Sequence, residues 1–266
     1  MVLSLSGAWF RFAKEYVLKG ADLEVREGEL AVLVGPMGSG KSTLLYAASG
    51  LLELERGELS IDGEPFEERH RREVGLVFQN PEDQLFNPTV RDEIAYALRT
   101  MGKEDEGRVL EAAREVGIEG LLDKNPFKLS YGQKKLVALA SVLVYSPKYL
   151  LLDEPTANLD KKSYARVLEI VTRRKGAVVA THEVDWILVA DVVYVMKGGK
   201  TIKITPEEAI KKLDSLPVAV PPGWRILMKR LSPSDLLEEA RELLRGVSSE
   251  AYEGPRQASV KAGRGP

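Results

Sequence analysis

The sequence predicts an α/β fold, and three features predict it. Apolar runs of strand length return between helical ones, and a glycine-rich loop stands between an apolar strand and a helix near Lys41. In the middle of the chain, at about 83–135, the period turns helical before strands resume. With 266 residues and 44% apolar content, the chain can build one large domain with an appendage, or two modest ones, and is not mainly disordered.

Residues 1 to about 34 alternate apolar and polar positions and end in Gly28-Glu29-Leu30-Ala31-Val32-Leu33-Val34, strands that lead into the loop. Gly57 to Phe78 reads as further short strands, with a turn at Ile61-Asp62-Gly63 and a buried strand at Val74-Gly75-Leu76-Val77-Phe78. From Thr89 the pattern is helical. Thr89 and Asp92 make a capping box, one helix runs to about Met101, and another from Glu104 stops near Gly117. A third helix begins at Ser130 and must stop by Pro147. Tyr149 to Leu152 is then an apolar strand that ends in Asp153-Glu154. Asn158 or Asp160 caps a helix ending near Gly176, Ala177 to Thr181 is a short buried strand, and Asp191 to Ile204 is a hairpin around Gly198-Gly199.

After Ile204 the character changes. Thr205, Pro206 and Glu208 open a further helix beyond the last strand, so a boundary is placed there: 1–204 is one domain and 205–246 a helical extension. A later helix starts at Ser232-Pro233 and carries Leu236, Leu237, Ala240, Leu243 and Leu244 on one face. That face must bury against something, and support of dimerisation is the expectation. Residues 247–266 are rich in Ser, Gly, Pro and charge and are expected to form a mobile tail.

Composition removes several classes of function. Lys and Arg number 38 against 40 Asp and Glu, so no overall positive field advertises nucleic acid or anionic lipid, and no nucleic-acid partner is expected. Cysteine is absent, which excludes disulfides, thiol nucleophiles, iron–sulfur clusters and cysteine-ligated zinc, and is consistent with a reducing cytosol. No run reaches the ~18 apolar residues of a spanning helix, Leu136 to Tyr145 being the best, and the N-terminus carries no secretory pattern. The chain is not expected to cross a bilayer alone.

Gly35-Pro36-Met37-Gly38-Ser39-Gly40-Lys41-Ser42, followed by Thr43, satisfies the phosphate-loop pattern in its required place between strand and helix. Glycines let backbone N–H groups converge on phosphate oxygens and the helix N-terminus adds positive dipole. Lys41 can reach the β- and γ-phosphates of ATP, and Ser42 can ligate Mg2+. Asp153 and Glu154 close a buried strand at the end where open α/β sheets bind ligands. Asp153 would hold magnesium, and Glu154 would polarise the attacking water, a role worth ~10²–10⁴ in rate. Of the two histidines, His70 sits in the charge run Glu67-Glu68-Arg69-His70-Arg71-Arg72 and is read as solvated surface. His182 follows a buried strand.

Leu129-Ser130-Tyr131-Gly132-Gln133, upstream of Asp153, resembles the LSGGQ signature of ABC ATPases, with Ser130 capping a helix. Other family motifs follow in the family's order. Gln79 in Val77-Phe78-Gln79-Asn80-Pro81 matches the Q-loop, Asn158-Leu159-Asp160 the D-loop, and His182 in Thr181-His182-Glu183 the switch histidine. The resemblance covers about residues 1–204. It implies a phosphate-loop core with an N-terminal antiparallel β subdomain and a helical insert. Phe12 is the best candidate for an aromatic residue stacking on adenine, with Tyr16 as competitor. Tyr131 departs from the usual second signature glycine, a change expected to be tolerated because Ser130 and Gly132 keep the groups that face phosphate.

The run Gln79 to Phe86 with Thr89-Val90, the segment Thr181 to Asp185, and Ser141 where many relatives carry arginine all resemble the ATPases of energy-coupling-factor and cobalt- or nickel-type uptake systems. What this implies is a peripheral protein on the cytoplasmic face of the membrane that couples ATP hydrolysis to import of a metal ion or vitamin. The family's arrangement makes Ser130, Gly132 and Gln133 of one subunit meet the nucleotide held by a second ABC ATPase subunit. In it Asp160 communicates across the interface, His182 aligns water and γ-phosphate, and Gln79 links magnesium to the insert, which meets an integral membrane subunit. The rival is a soluble ABC ATPase acting on nucleic acid or ribosomes, disfavoured by the single motor, the lack of a long coiled-coil insertion and the lack of cysteine. A non-catalytic regulator would be expected to lack Glu154 or His182.

Overall fold

A computed structural model describes residues 1–174 and 176–245. Alternation of apolar and polar residues makes β1 (Val2–Phe12) and β2 (Glu15–Arg26) an antiparallel pair, with Leu3 opposite Val25 and Leu5 opposite Leu23 on the buried side. Next come β3 (Leu30–Val34), buried throughout, and helix α1 (Lys41–Ala48). Strands β4 (Arg56–Ile61) and β5 (Glu64–Pro65) return to the first pair and complete an antiparallel sheet of order β2-β1-β4-β5. After β6 (Val74–Val77) the insert supplies α2 (Val90–Thr100), α3 (Glu106–Val116) and α4 (Tyr131–Leu143). Thr89 caps α2, Asp105 rather than Glu104 caps α3, and Ser130 caps α4.

The chain then alternates. It runs β7 (Tyr149–Asp153), α5 (Lys161–Arg173), β8 (Ala177–Ala180), α6 (Val184–Val189), β9 (Val192–Lys197) and β10 (Lys200–Ile204). A second sheet has the order β10-β9-β3-β8-β7-β6, parallel except for the β9–β10 hairpin. Its two faces are read directly from alternate residues. Ala31, Leu33, Leu151 and Val178 pack with α1 and the antiparallel sheet, while Val32, Val34, Leu152 and Val179 pack with the helices of the insert and C-terminus. The two covered faces bring the carboxyl ends of β3, β7 and β8 to one edge, where the phosphate loop and Asp153-Glu154 lie.

The last described elements are α7 (Pro206–Lys211), α8 (Pro222–Met228) and α9 (Pro233–Arg245), with Thr205 and Glu208 forming the expected capping box. Leu236, Leu237 and Ala240 of α9 are buried in the same cluster as Leu188, Val193 and Trp224, against α5, α6 and α7 of this chain. This part of the apolar face serves the chain's own core and not a second copy, because the aliphatic surface left by α6 is already there to receive it. The side chains of Leu243 and Leu244, and the segment 247–266, lie outside what is described. No helix among the described residues is long and apolar enough to cross a membrane.

His70 corrects an expectation. It is 6% exposed, its Nδ1 accepts from the Glu67 N–H at 2.9 Å, and its ring packs on Phe66. The charge run folds as a short 3₁₀ turn, Glu68–Arg72, whose arginines face water while the imidazole turns inward to close a capping box.

Candidate functional site

The phosphate loop leaves β3 and enters α1 through Gly40, whose φ of 103° forbids an ordinary side chain. A Cβ there would also stand 2.9 Å from Val17 and from Met196. Gly40 makes no side-chain cap, so the first N–H groups of α1 are left free for an anion. Gly35 and Gly40 are buried, Pro36, Met37 and Gly38 exposed, and Thr43 turns into the core. Lys41 Nζ donates to the carbonyls of Gly35 and Pro36, at 2.9 and 3.2 Å, which holds the ammonium over the loop. The Ser39 hydroxyl is buried there without a partner among the described residues.

Asp153 ends β7 and is 1% exposed, and its Oδ2 has no hydrogen-bond partner among the described residues. Burial, and after it the neighbouring Glu154, push its carboxyl above the usual range, against the Ser42 hydroxyl and the charges of Lys41 and Lys135. A buried carboxylate oxygen beside a serine hydroxyl supplies hard oxygen donors, a fit for a hard cation. Glu154 adopts a φ of 47°, and its N–H still bonds Ala180 at 2.8 Å, which holds the end of β7 against β8. The turn delivers the carboxylate to the loop after β8. Thr181 donates to Oε2 at 3.1 Å and His182 Nδ1 lies 2.9 Å from Oε1. Glu154 is thus gripped on both oxygens by consecutive residues, while the His182 side chain stays 52% exposed.

The signature segment stands as a capping box. Ser130 accepts from the Gln133 N–H at 3.4 Å and Gln133 Oε1 accepts from the Ser130 N–H at 3.2 Å. A Cβ on Gly132 would come within 3.3 Å of Leu159, so the segment lies beside the Asn158-Leu159-Asp160 turn. The Asp160 carboxylate caps α5, and the Ser163 N–H holds its pKa below the usual range. Tyr131 donates to the carbonyl of Gln79 at 3.2 Å, a tie that the usual glycine could not make, while Gln79 itself is exposed. Gln84 binds the end of β6 to α4 through the Ala138 carbonyl and Ser141 hydroxyl, and that small side chain leaves it room.

Phe12 is 57% exposed and rests edge-on against Phe10. Tyr16 is engaged, its hydroxyl on Glu55 and its ring against Trp9 and Arg11. Both belong to the β1–β2 hairpin, whose Val17 abuts Gly40 of the phosphate loop.

Several members of the site were missed. Lys135 is buried and donates to the Glu154 carbonyl, and burial pushes its ammonium down to about 8 against the pull of Glu154, Glu183 and Asp153. Its signal was helical spacing, since 135, 139 and 142 share the inward face of α4. Thr181 stood beside His182 in the motif. Thr156, which donates to Glu183 and accepts from Trp186, had no local signal.

The family model described as ABC transporter matches residues 18–157. The chain is 42% identical over 215 residues to the energy-coupling factor transporter ATP-binding protein EcfA of Methanocaldococcus jannaschii, covering 75% of this chain and 77% of that one. Its fold is similar to cbiO1 from Clostridium perfringens, part of the ABC transporter complex cbiONQ. The TM-score is 0.71 at 32% identity, over 89% of this chain and 98% of that one. An ATP-binding cassette solved as a dimer in a post-hydrolysis state with ADP and Pi aligns with a TM-score of 0.68 at 27% identity, over 77% of this chain and 98% of the other.

Proposed function

The chain belongs to the ABC transporter family and is an ATPase of it, and from that premise we propose the following division of labour. It is the energy-coupling subunit of an energy-coupling-factor type importer of a metal ion or vitamin. It is peripheral to the cytoplasmic face of the membrane and works as a head-to-tail pair, with itself or with a second ABC ATPase. The observation that carries the catalytic part is the grip of Thr181 and His182 on Glu154 at the end of β7. Such a carboxylate, fixed in direction beside a phosphate loop, can accept a proton from water aimed at the γ-phosphate.

The loop from Gly35 to Thr43 binds the phosphates through its N–H groups and Lys41, and Phe12 stacks on the base. Ser42 and Asp153 would hold magnesium, for which the unpartnered Oδ2 is the open acceptor, and Gln79 would join that site to the insert. Bound there, the ion would offset phosphate charge and polarise the γ-phosphoryl group. His182 keeps Glu154 and the water in line. Ser130, Gly132 and Gln133 present a capped helix N-terminus to the nucleotide of the other subunit, and Asp160 lies at the same junction. Closure follows from differential affinity: ATP favours the paired state because it is gripped from both sides, and loss of the γ-phosphate removes that preference. The likeness to a cassette solved as a dimer with ADP and Pi supports this. Exposed Phe86 and Tyr96, stacked edge to face on the insert, suit contact with an integral membrane subunit.

The test joins two variants. Glu154→Gln should bind ATP, turn over ~10²-fold or more slowly and accumulate as a dimer in light scattering. Ser130→Trp should bind ATP as a monomer yet neither pair nor hydrolyse. Full turnover of Ser130→Trp would overturn the composite site, and wild-type turnover of Glu154→Gln would overturn the catalytic assignment. The integral protein that co-purifies with the chain from membranes tests the importer.

A further inference from the structure

The loop that carries His182, with α6 behind it, is tied to the C-terminal extension at three points. The Ala219 N–H donates to the His182 carbonyl at 2.6 Å, and the Val184 N–H returns to the Ala219 carbonyl at 3.3 Å, a single parallel bridge. The indole N–H of Trp224, fully buried on α8, donates to Asp185 Oδ1 at 2.6 Å, while Tyr164 of α5 donates to Oδ2 at 2.9 Å. Arg241 of α9 donates to the Ala190 carbonyl at 2.9 Å, at the far end of α6. The short helix that begins just after His182-Glu183 is therefore fixed at both ends by residues beyond 204.

This matters because the His182 ring cannot hold itself. Half of it is in solvent, and it reaches Glu154 by one contact. With half of the ring in solvent, its contact with Glu154 depends on where its backbone sits, and that backbone is bonded on its carbonyl side by Ala219. We propose that the C-terminal extension is a positioning clamp for His182, acting through Ala219 on the backbone and through Trp224 on Asp185, and that turnover depends on it. The proposal rests on the role of His182 given above. The clamp residues themselves touch neither nucleotide nor water.

The test uses the purified 266-residue chain, with single-turnover hydrolysis to reach slow rates. Ala219→Pro deletes the N–H that bonds His182 and takes nothing from the core, because Ala219 is exposed. Trp224→Phe, which deletes the donor to Asp185, is the second variant should proline disturb the segment. Each should lower kcat ~10-fold, the scale of a sub-ångström misplacement, with the KM for ATP unchanged. In a His182→Ala background neither should cost anything further, since nothing remains to be positioned. An equal fractional loss with and without His182 would mean a general structural role and overturn the clamp, as would a loss confined to KM or wild-type turnover in both variants. Glu154→Gln serves as the control: if it hydrolyses like wild type, the catalytic assignment fails first and the clamp with it. If it is slow while both clamp variants are normal, only the clamp fails.

Discussion

Replacing Asp153 with asparagine should make the ligand-free protein more stable and its nucleotide complex less so. The carboxylate is buried, one oxygen lacks a partner, and Glu154 follows it in the chain. Burial and then Glu154 raise its pKa, so between the ordinary aspartate value and the raised one the folded chain binds more protons than the unfolded chain. Stability therefore falls as pH rises through that window, and the loss is complete above it. Asparagine keeps the shape and carries no charge. The carboxamide is still a buried polar group, so only the excess cost of the charge is recovered, about 1 kcal/mol, and at about 2–4 °C per kcal/mol for a chain of this size the variant should melt a few degrees above wild type without ligand. Nucleotide at ~100 times its Kd adds about 2.7 kcal/mol to the wild type. A carboxamide, a poorer magnesium ligand than a carboxylate, forfeits the metal-dependent part of that gain. Thermal melts with ADP, in magnesium and in EDTA, read both halves. A variant that melts below wild type without ligand, or that keeps the full magnesium-dependent increment, would refute the reasoning.

Phe12→Ala should raise the KM for ATP about twofold to tenfold, from the ~0.5–1.5 kcal/mol of a stacked pair, and leave kcat alone; steady-state kinetics checks it. The same change at Tyr16 should act on stability instead, because that ring is already held by Glu55, Trp9 and Arg11. His70→Ala should cost about 1 kcal/mol in urea unfolding, from the lost capping contact and ring packing, with ATP turnover unchanged.

What was legible in the chain was what is local. The phosphate loop, the Asp153-Glu154 strand end and the Ser130 cap are each a few consecutive residues whose chemistry and secondary structure coincide, and the period of each run placed them on the correct strand or helix. His70 shows how a local pattern misleads. A run of six charged or basic residues averages to solvated surface, but a 3₁₀ turn sorts them by direction, and one in the run points in. Lys135 fails for the opposite reason: its neighbours in sequence look like a polar start to a helix, and only the inward face of α4 shows that its ammonium ends beneath Glu154.

The apolar stripe on α9 was visible as a stripe, yet hydrophobicity has no direction in space and cannot say whether the surface that covers it belongs to the same chain. Covering it intramolecularly has a consequence for the site. With Leu236, Leu237 and Ala240 seated on α6, the extension becomes part of the floor beneath the switch loop. Trp224 can then reach Asp185 across 39 positions of sequence. The motif names His182, but the donors that aim it come from a segment that no motif marks, so a change at Ala219 or Trp224 should be felt at the γ-phosphate before it is felt in the binding of ATP.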